Sequence, residues 1–266
     1  MIKRSLDLTN CNKSLFLFGP RQTGKTSLVR SLFKPDLQIN LLRTSEFIKY
    51  TKDPSLLRKE VEALPQSKHI IVFIDEIQKC SEMLNEIHAL IEDCKVQFIL
   101  TGSSARKLRQ KGVNLLGGRA LTYHLFPLTH EELQEKFSRE NILHYGSLPS
   151  IILEPKDSQK KGLLRSYVET YLREEIQQEA STRNIPAFAR FLELAGFENG
   201  HILNWSNIAR EVGVHASTIK EYFQILQDTL LGFYLDPYSK SVRTKIVSHP
   251  KFYFLIQDSS RLFKDV

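Results

Sequence analysis

Three cysteines in 266 residues, Cys11, Cys80 and Cys94, are odd in number and too widely spaced to form a disulfide framework or a zinc site. They read as buried or incidental thiols. The histidines are equally scattered, at His69, His88, His124, His130, His144, His201, His215 and His249, and none pairs with another at metal-ligand spacing. No apolar run approaches membrane-spanning length, and the opening Met1-Ile2-Lys3-Arg4-Ser5-Leu6-Asp7 lacks the apolar centre of a signal peptide. The expectation is a cytoplasmic protein with no membrane partner. What remains is ordinary for a globular chain: 41% hydrophobic and 25% charged residues, enough for one large domain or two modest ones. A net charge of +7 and an isoelectric point near 9.2 suit anionic partners such as nucleotides or nucleic acid.

Against that plain background stands Gly19-Pro20-Arg21-Gln22-Thr23-Gly24-Lys25-Thr26, directly after the apolar run Ser14 to Phe18 and directly before a helix-like segment. The pattern G-x-x-x-x-G-K-[ST] in a strand, loop and helix context gathers backbone N–H groups and the positive end of a helix onto one anion. Gly19 and Gly24 let the chain approach phosphate oxygens, Lys25 reaches the β- and γ-phosphates as a point charge, and Thr26 offers a hydroxyl to Mg²⁺. The candidate nucleotide-binding residues are therefore Gly19, Pro20, Arg21, Gln22, Thr23, Gly24, Lys25, Thr26 and Ser27. A second run, Ile70-Ile71-Val72-Phe73-Ile74, reads as a strand buried on both faces and ends in Asp75-Glu76. Asp75 is placed to hold Mg²⁺ beside Thr26, and Glu76 to polarise a water for attack on the γ-phosphate.

Strand-like runs at 14–18, 37–42, 69–75, 96–101 and 121–126 alternate with helix-like segments, which predicts a parallel α/β sheet with helices on both faces. Ligands of such sheets bind at the carboxyl ends of the strands, where the loop, Asp75 and Glu76 all fall. The fourth strand ends in Thr101-Gly102-Ser103-Ser104. One of those hydroxyls, Ser103 above all, is expected near the γ-phosphate, although a serine there also suits a helix cap. After Gly117-Gly118, Arg119 could stabilise transition-state charge, in its own site or a neighbour's.

These segments, with Phe126-Pro127-Leu128-Thr129, Tyr145-Gly146-Ser147-Leu148-Pro149 and Pro250-Lys251-Phe252-Tyr253-Phe254, occur in an order that resembles the AAA+ ATPases of the AAA_14 type, commonly fused to a DUF4143 region. The resemblance covers most of the chain. It implies ATP as the nucleotide, a sheet ordered 5-1-4-3-2, a helical lid and a winged-helix element, with Pro149 beside the adenine. The end departs from the pattern: Phe254 is followed by Leu255-Ile256-Gln257-Asp258-Ser259-Ser260 and the sequence stops at Val266, which reads as a truncated tail lacking a nuclease-like domain and exposing Phe252 and Phe254.

In the second half, Thr129-His130-Glu131-Glu132 has capping-box spacing and opens a helix to about residue 140. A long helix from about 159 to 180 carries the apolar stripe Leu163, Leu164, Tyr167, Val168, Tyr171, Leu172 and Ile176. Residues 206–219 have helix-turn-helix spacing, Ala209 then Gly213 then Ile219, with Ser217, Thr218, Lys220 and Tyr222 expected to point outward. Contact with DNA through the second helix and Lys240, Arg243 and Lys245 stands beside a purely packing role. The expected organisation is a P-loop ATPase core at 1–127, a helical lid at 128–198, a winged-helix-like region at 199–250 and a tail at 251–266. The function expected is Mg²⁺-dependent ATP hydrolysis coupled to lid and winged-helix rearrangement, with a protein partner or a homo-oligomer compatible. The alternatives are a nucleotide-gated DNA- or protein-binding switch and an inactive truncated copy.

Overall fold

The computed structural model describes residues 2–65, 68–104, 106, 108, 116–133, 137–171, 184–238 and 249–255. The chain divides into two units, residues 1–125 and 126–266.

The first unit is built on five parallel strands: β1 (Ser14–Phe18), β2 (Leu37–Asn40), β3 (Ile70–Asp75), β4 (Val96–Gly102) and β5 (Ala120–His124). Their order across the sheet is β2-β3-β4-β1-β5, as the resemblance implied. The inner strands are apolar because both faces are covered. Leu15, Leu17, Phe73 and Ile99 pack with Leu28 and Val29 of α1 (Lys25–Leu32), while the alternate residues Phe16, Phe18, Val72, Ile74, Phe98 and Leu100 are buried on the opposite face. Edge strand β5 reads differently, with Leu121, Thr122 and His124 exposed.

The polar stretch around 44–64 is two helices, α2 (Thr44–Lys52) and α3 (Leu56–Glu62), because Pro54 cannot continue a helix. In α4 (Met83–Asp93) the buried positions Met83, Leu84, Ile87 and Leu90 fall on the three- and four-residue steps read from the sequence, and Ile91 is half-buried. Much of the helix expected after Ser103 lies outside the described residues.

Among its described residues the second unit is helical with one pair of antiparallel strands. The capping box forms: Thr129 N donates to Glu132 Oε2 (3.0 Å) and Glu132 N to Thr129 Oγ1 (3.3 Å), opening α5 (His130–Leu133). A second start follows, where Ser138 Oγ accepts from Asn141 N and caps α6 (Arg139–Tyr145). Then come α7 (Pro149–Ile152), α8 (Asp157–Tyr171), α9 (Ile185–Phe197), α10 (Trp205–Val212) and α11 (Ala216–Asp228). The end of the long helix expected to reach residue 180 lies outside the described residues, and within α8 Leu164 and Tyr167 are buried whereas Leu163 is exposed.

Helices α10 and α11 meet at Gly213, whose left-handed φ of 79° caps the first and turns the chain. Tyr222, expected to face outward, is instead 1% exposed. Its ring packs against Phe188 and Phe191 with centroids 4.7 and 5.2 Å away, because Ile219, Tyr222, Phe223 and Leu226 form one stripe at helical spacing. The strand β6 (Gly232–Leu235) pairs antiparallel with β7 (Lys251–Phe254), so residues 251–254, grouped with the tail on sequence grounds, are part of a hairpin. Phe252 and Phe254 are correspondingly buried in the core rather than exposed: Phe252 meets Phe223 edge-on at 4.9 Å.

Candidate nucleotide-binding site

The loop after β1 is shaped by close approach. A side chain at Gly19 would bring a Cβ to 2.2 Å from the Leu125 carbonyl oxygen, and Gly24, at φ 90°, stands as the N-cap of α1. No side chain caps that helix and its first turn holds no acid, so the positive end of the helix is open to an anion. Thr23 Oγ1 braces the loop on Pro20 O (2.8 Å), and Arg4 Nη1 donates to Thr23 O (2.7 Å). Lys25 is 6% exposed, and its ammonium donates to Gly19 O (2.8 Å) and Pro20 O (3.0 Å), a buried cation folded over its own loop.

Across from it, β3 delivers Asp75 at its carboxyl end, 4% exposed. Thr26 Oγ1 donates to Asp75 Oδ2 (2.9 Å) and Thr101 Oγ1 to Asp75 Oδ1 (2.5 Å), so both carboxylate oxygens are engaged by hydroxyls. Glu76 adopts the left-handed region (φ 63°, ψ 46°), a conformation uncommon outside glycine, which turns its side chain out of the strand's alternation. A hollow of about 280 Å³ is lined by Arg21, Gln22, Gly24, Lys25, Thr26, Ser27, Leu42 and Glu76. Thr26 and Asp75 supply hard oxygens that suit Mg²⁺, and the open helix start with Lys25 suits phosphate.

Residues 11–134 match the family model AAA_14, described as an AAA domain. The first unit has the P-loop NTPase fold. Residues 136–255 match DUF8612, a domain of unknown function, in place of the DUF4143 region to which the resembled ATPases are commonly fused. Uncharacterized proteins of Mycobacterium bovis and Mycobacterium tuberculosis are each 22% identical over 254 residues, covering 94% of this chain and 55% of their own length. The chain thus spans about half the length of the curated relatives it matches. An uncharacterized Haemophilus influenzae protein is 23% identical over 218 residues, 75% of this chain and 54% of that protein. Among solved structures, the Aeropyrum pernix ORC1 protein in complex with DNA is similar at TM-score 0.37 and 12% identity, over 95% of this chain and 86% of that one. Domain III of the Thermotoga maritima replication initiation protein DnaA is similar at TM-score 0.34 and 18% identity, over 62% and 81%.

Within the P-loop NTPase unit the structure brings Lys25, Thr26, Asp75 and Glu76 together at one end of the sheet. The three hydroxyls at the end of β4 take separate duties: Thr101 binds Asp75, Ser103 accepts from Gln78 Nε2 (3.1 Å), and Ser104 Oγ accepts from Arg106 N (3.0 Å). Arg119 does not join the cluster of its own chain. It precedes β5, whose Ala120 pairs with Ser14 at the start of β1, whereas the loop follows Phe18 at the other end, and its guanidinium pairs with Glu92. Pro149 belongs to the second unit, at the first position of α7. Sequence reasoning assigned no role to Gln78 or Leu42; for Gln78 the available signal was its place two residues after Glu76. Among the described residues no cluster of three or more His, Cys, Asp and Glu is gathered for a metal, and the three cysteines are unpaired in disulfides. No described helix is long and apolar enough to cross a membrane.

Proposed function

We propose that the chain is a Mg²⁺-dependent ATPase of the AAA+ type, with hydrolysis coupled to rearrangement of a helical lid and of a winged helix formed by α10, α11 and the β6–β7 hairpin. The observation that carries this reading is the 2.9 Å contact between Thr26 Oγ1 and Asp75 Oδ2, on the same hollow as Lys25 and Glu76. Thr26 and Asp75 would hold the metal. When bound, Mg²⁺ supplies neutralisation of phosphate charge. Residues 19–27 would cradle the phosphates, with Lys25 exchanging its two loop carbonyls for phosphate oxygens. Glu76 would accept the proton of the water whose oxygen bonds to the terminal phosphorus as the bond to the departing diphosphate oxygen breaks. Ser103 would contact the terminal phosphate from the end of β4. Arg119, at the far end of its own sheet, would serve the nucleotide of a neighbouring copy, which makes a homo-oligomer the working form in this reading.

A second reading, a nucleotide-gated switch acting on DNA or a protein, is favoured by α10, the Gly213 turn and α11, whose exposed Ser217 and Lys220 could face a partner. The test is Mg²⁺-dependent ATP hydrolysis by the purified chain, with Lys25→Ala and Glu76→Gln, each with and without duplex DNA. Loss of turnover in both variants, with nucleotide still bound by Glu76→Gln, is the expected outcome. Equal turnover in Glu76→Gln would remove Glu76 as the base, and tight binding with no turnover under any condition would favour the switch.

A further inference from the structure

Next to the hollow lies a side chain that phosphate and metal binding do not by themselves require. Gln78, on the 3₁₀ turn Ile77–Lys79, is 8% exposed, and its Nε2 donates to Glu76 Oε2 (2.5 Å) and to Ser103 Oγ (3.1 Å). Its Oε1 is buried with no hydrogen-bond partner. That oxygen lies against Gly102, where an added Cβ would stand 2.5 Å away. Leaving a buried carbonyl unsatisfied is unfavourable, and turning the amide over would give it Ser103 as a donor. The turned amide would also set its oxygen against the Glu76 carboxylate. The orientation is therefore held by the two donated bonds, and the absence of a side chain at Gly102 leaves room for it.

We propose that Gln78 is a positioning residue that links the hydroxyl at the end of β4 to the carboxylate of Glu76. One N–H fixes the orientation of the Glu76 carboxylate. The other N–H uses a lone pair of Ser103 Oγ, so the hydroxyl's single proton must go to a different acceptor. A phosphate oxygen that takes that proton makes Oγ a stronger acceptor, and the strengthened bond is transmitted through the same amide nitrogen to Glu76. Occupancy at the tip of β4 thus reaches the base through one side chain. This inference rests on the ATPase reading, in which Glu76 is the base.

The test uses the full chain, with Gln78→Met, which keeps the length and removes both donors, and Gly102→Ala, which displaces the carboxamide without removing a donor. Nucleotide affinity, kcat and KM, and the side-chain amide NMR signals of Gln78 without and with Mg²⁺ and ATP are measured. Both variants are expected to keep nucleotide Kd within about twofold and to lose about tenfold or more in kcat. The Gln78 amide signals should shift in Glu76→Gln, which replaces the carboxylate acceptor, and should shift in the wild type when Mg²⁺ and ATP are added. An unchanged kcat in both variants, or Gln78 signals indifferent to Glu76→Gln and to Mg²⁺ and ATP, would overturn the link. Gln78 signals that shift with Glu76→Gln and with Mg²⁺ and ATP, in a protein that shows no turnover, support the link and remove the ATPase reading. If Gln78→Met fails to fold, the kcat of Gly102→Ala and the wild-type signals decide.

Discussion

At the scale of single residues, the site is held by groups whose conformations cost free energy on their own. A non-glycine residue in the left-handed region costs on the order of 1–3 kcal/mol, and Glu76 sits there with its carboxylate held by Gln78. That cost is sustained only if β3 is firmly anchored, and Asp36 contributes to the anchoring. Its Oδ2 accepts from Ile71 N (3.0 Å), near the start of β3, and its Oδ1 pairs with Lys68 Nζ (2.5 Å). The Lys68 bond first, then the Ile71 N–H, hold the Asp36 carboxyl below the ordinary carboxylate range. An acid with a depressed folded value contributes stability in full above its unfolded value of about 3.9 and loses it as pH falls through the folded value. Asp36→Asn is therefore expected to lower the melting temperature near neutrality, by the equivalent of about 1 kcal/mol or less for so exposed a pair, and to match the wild type at strongly acid pH. A constant difference at every pH would assign the loss to packing instead of ionisation.

At the scale of elements, legibility followed the strength of the local signal. Strands β1 and β3 were readable because burial on both faces leaves unbroken apolar runs, and α4 because its stripe is strict. Strand β5 was read slightly late and too long, since an edge strand with Leu121, Thr122 and His124 exposed carries little apolar pattern. Tyr222 was misread because a tyrosine on a helix-turn-helix suggests an outward contact, although its spacing from Ile219 and Leu226 already assigned it to the stripe. In the candidate site, the G-x-x-x-x-G-K-[ST] loop, Asp75 and Glu76 stood out as motifs, and the structure brings Lys25, Thr26, Asp75 and Glu76 together. The role of Gln78 was not legible, because it depends on a hydrogen bond across 25 residues to Ser103. Caps offer a local check on the second unit. Asn204 accepts through Oδ1 from Asn207 N (3.1 Å) at the start of α10. Asn204→Ala should cost about 1 kcal/mol in denaturant unfolding, and it should leave nucleotide affinity of the first unit unchanged. An effect on nucleotide affinity would mean that α10 is energetically coupled to the phosphate site.

At the scale of the whole molecule, the positive charge is unevenly divided. Residues 1–125 hold 20 Lys and Arg against 12 Asp and Glu, whereas residues 126–266 hold 17 against 18. The excess that suits an anionic partner therefore belongs to the unit with the loop at 19–26, and the unit with α10 and α11 is close to neutral. A DNA contact through α11 would have to be assembled from local cations: Arg210 and Lys220, both exposed, with Lys240, Arg243 and Lys245, which lie outside the described residues. Each neutralised phosphate contributes about 0.9 to the slope of log K against log salt, so these five cations support a slope no steeper than about −4.5. Lys220 Nζ also lies 5.9 Å from the Trp205 ring centroid, a cation–π contact that places the ammonium over the start of α10. Replacing Arg210 and Lys220 together by alanine is then expected to flatten the slope by about 2 and to weaken binding similarly for all duplex sequences, as loss of phosphate contacts does. A slope that is steep in the wild type and unchanged in the double variant would move the nucleic-acid contacts to the basic first unit, and would leave the helix-turn-helix as a surface for protein.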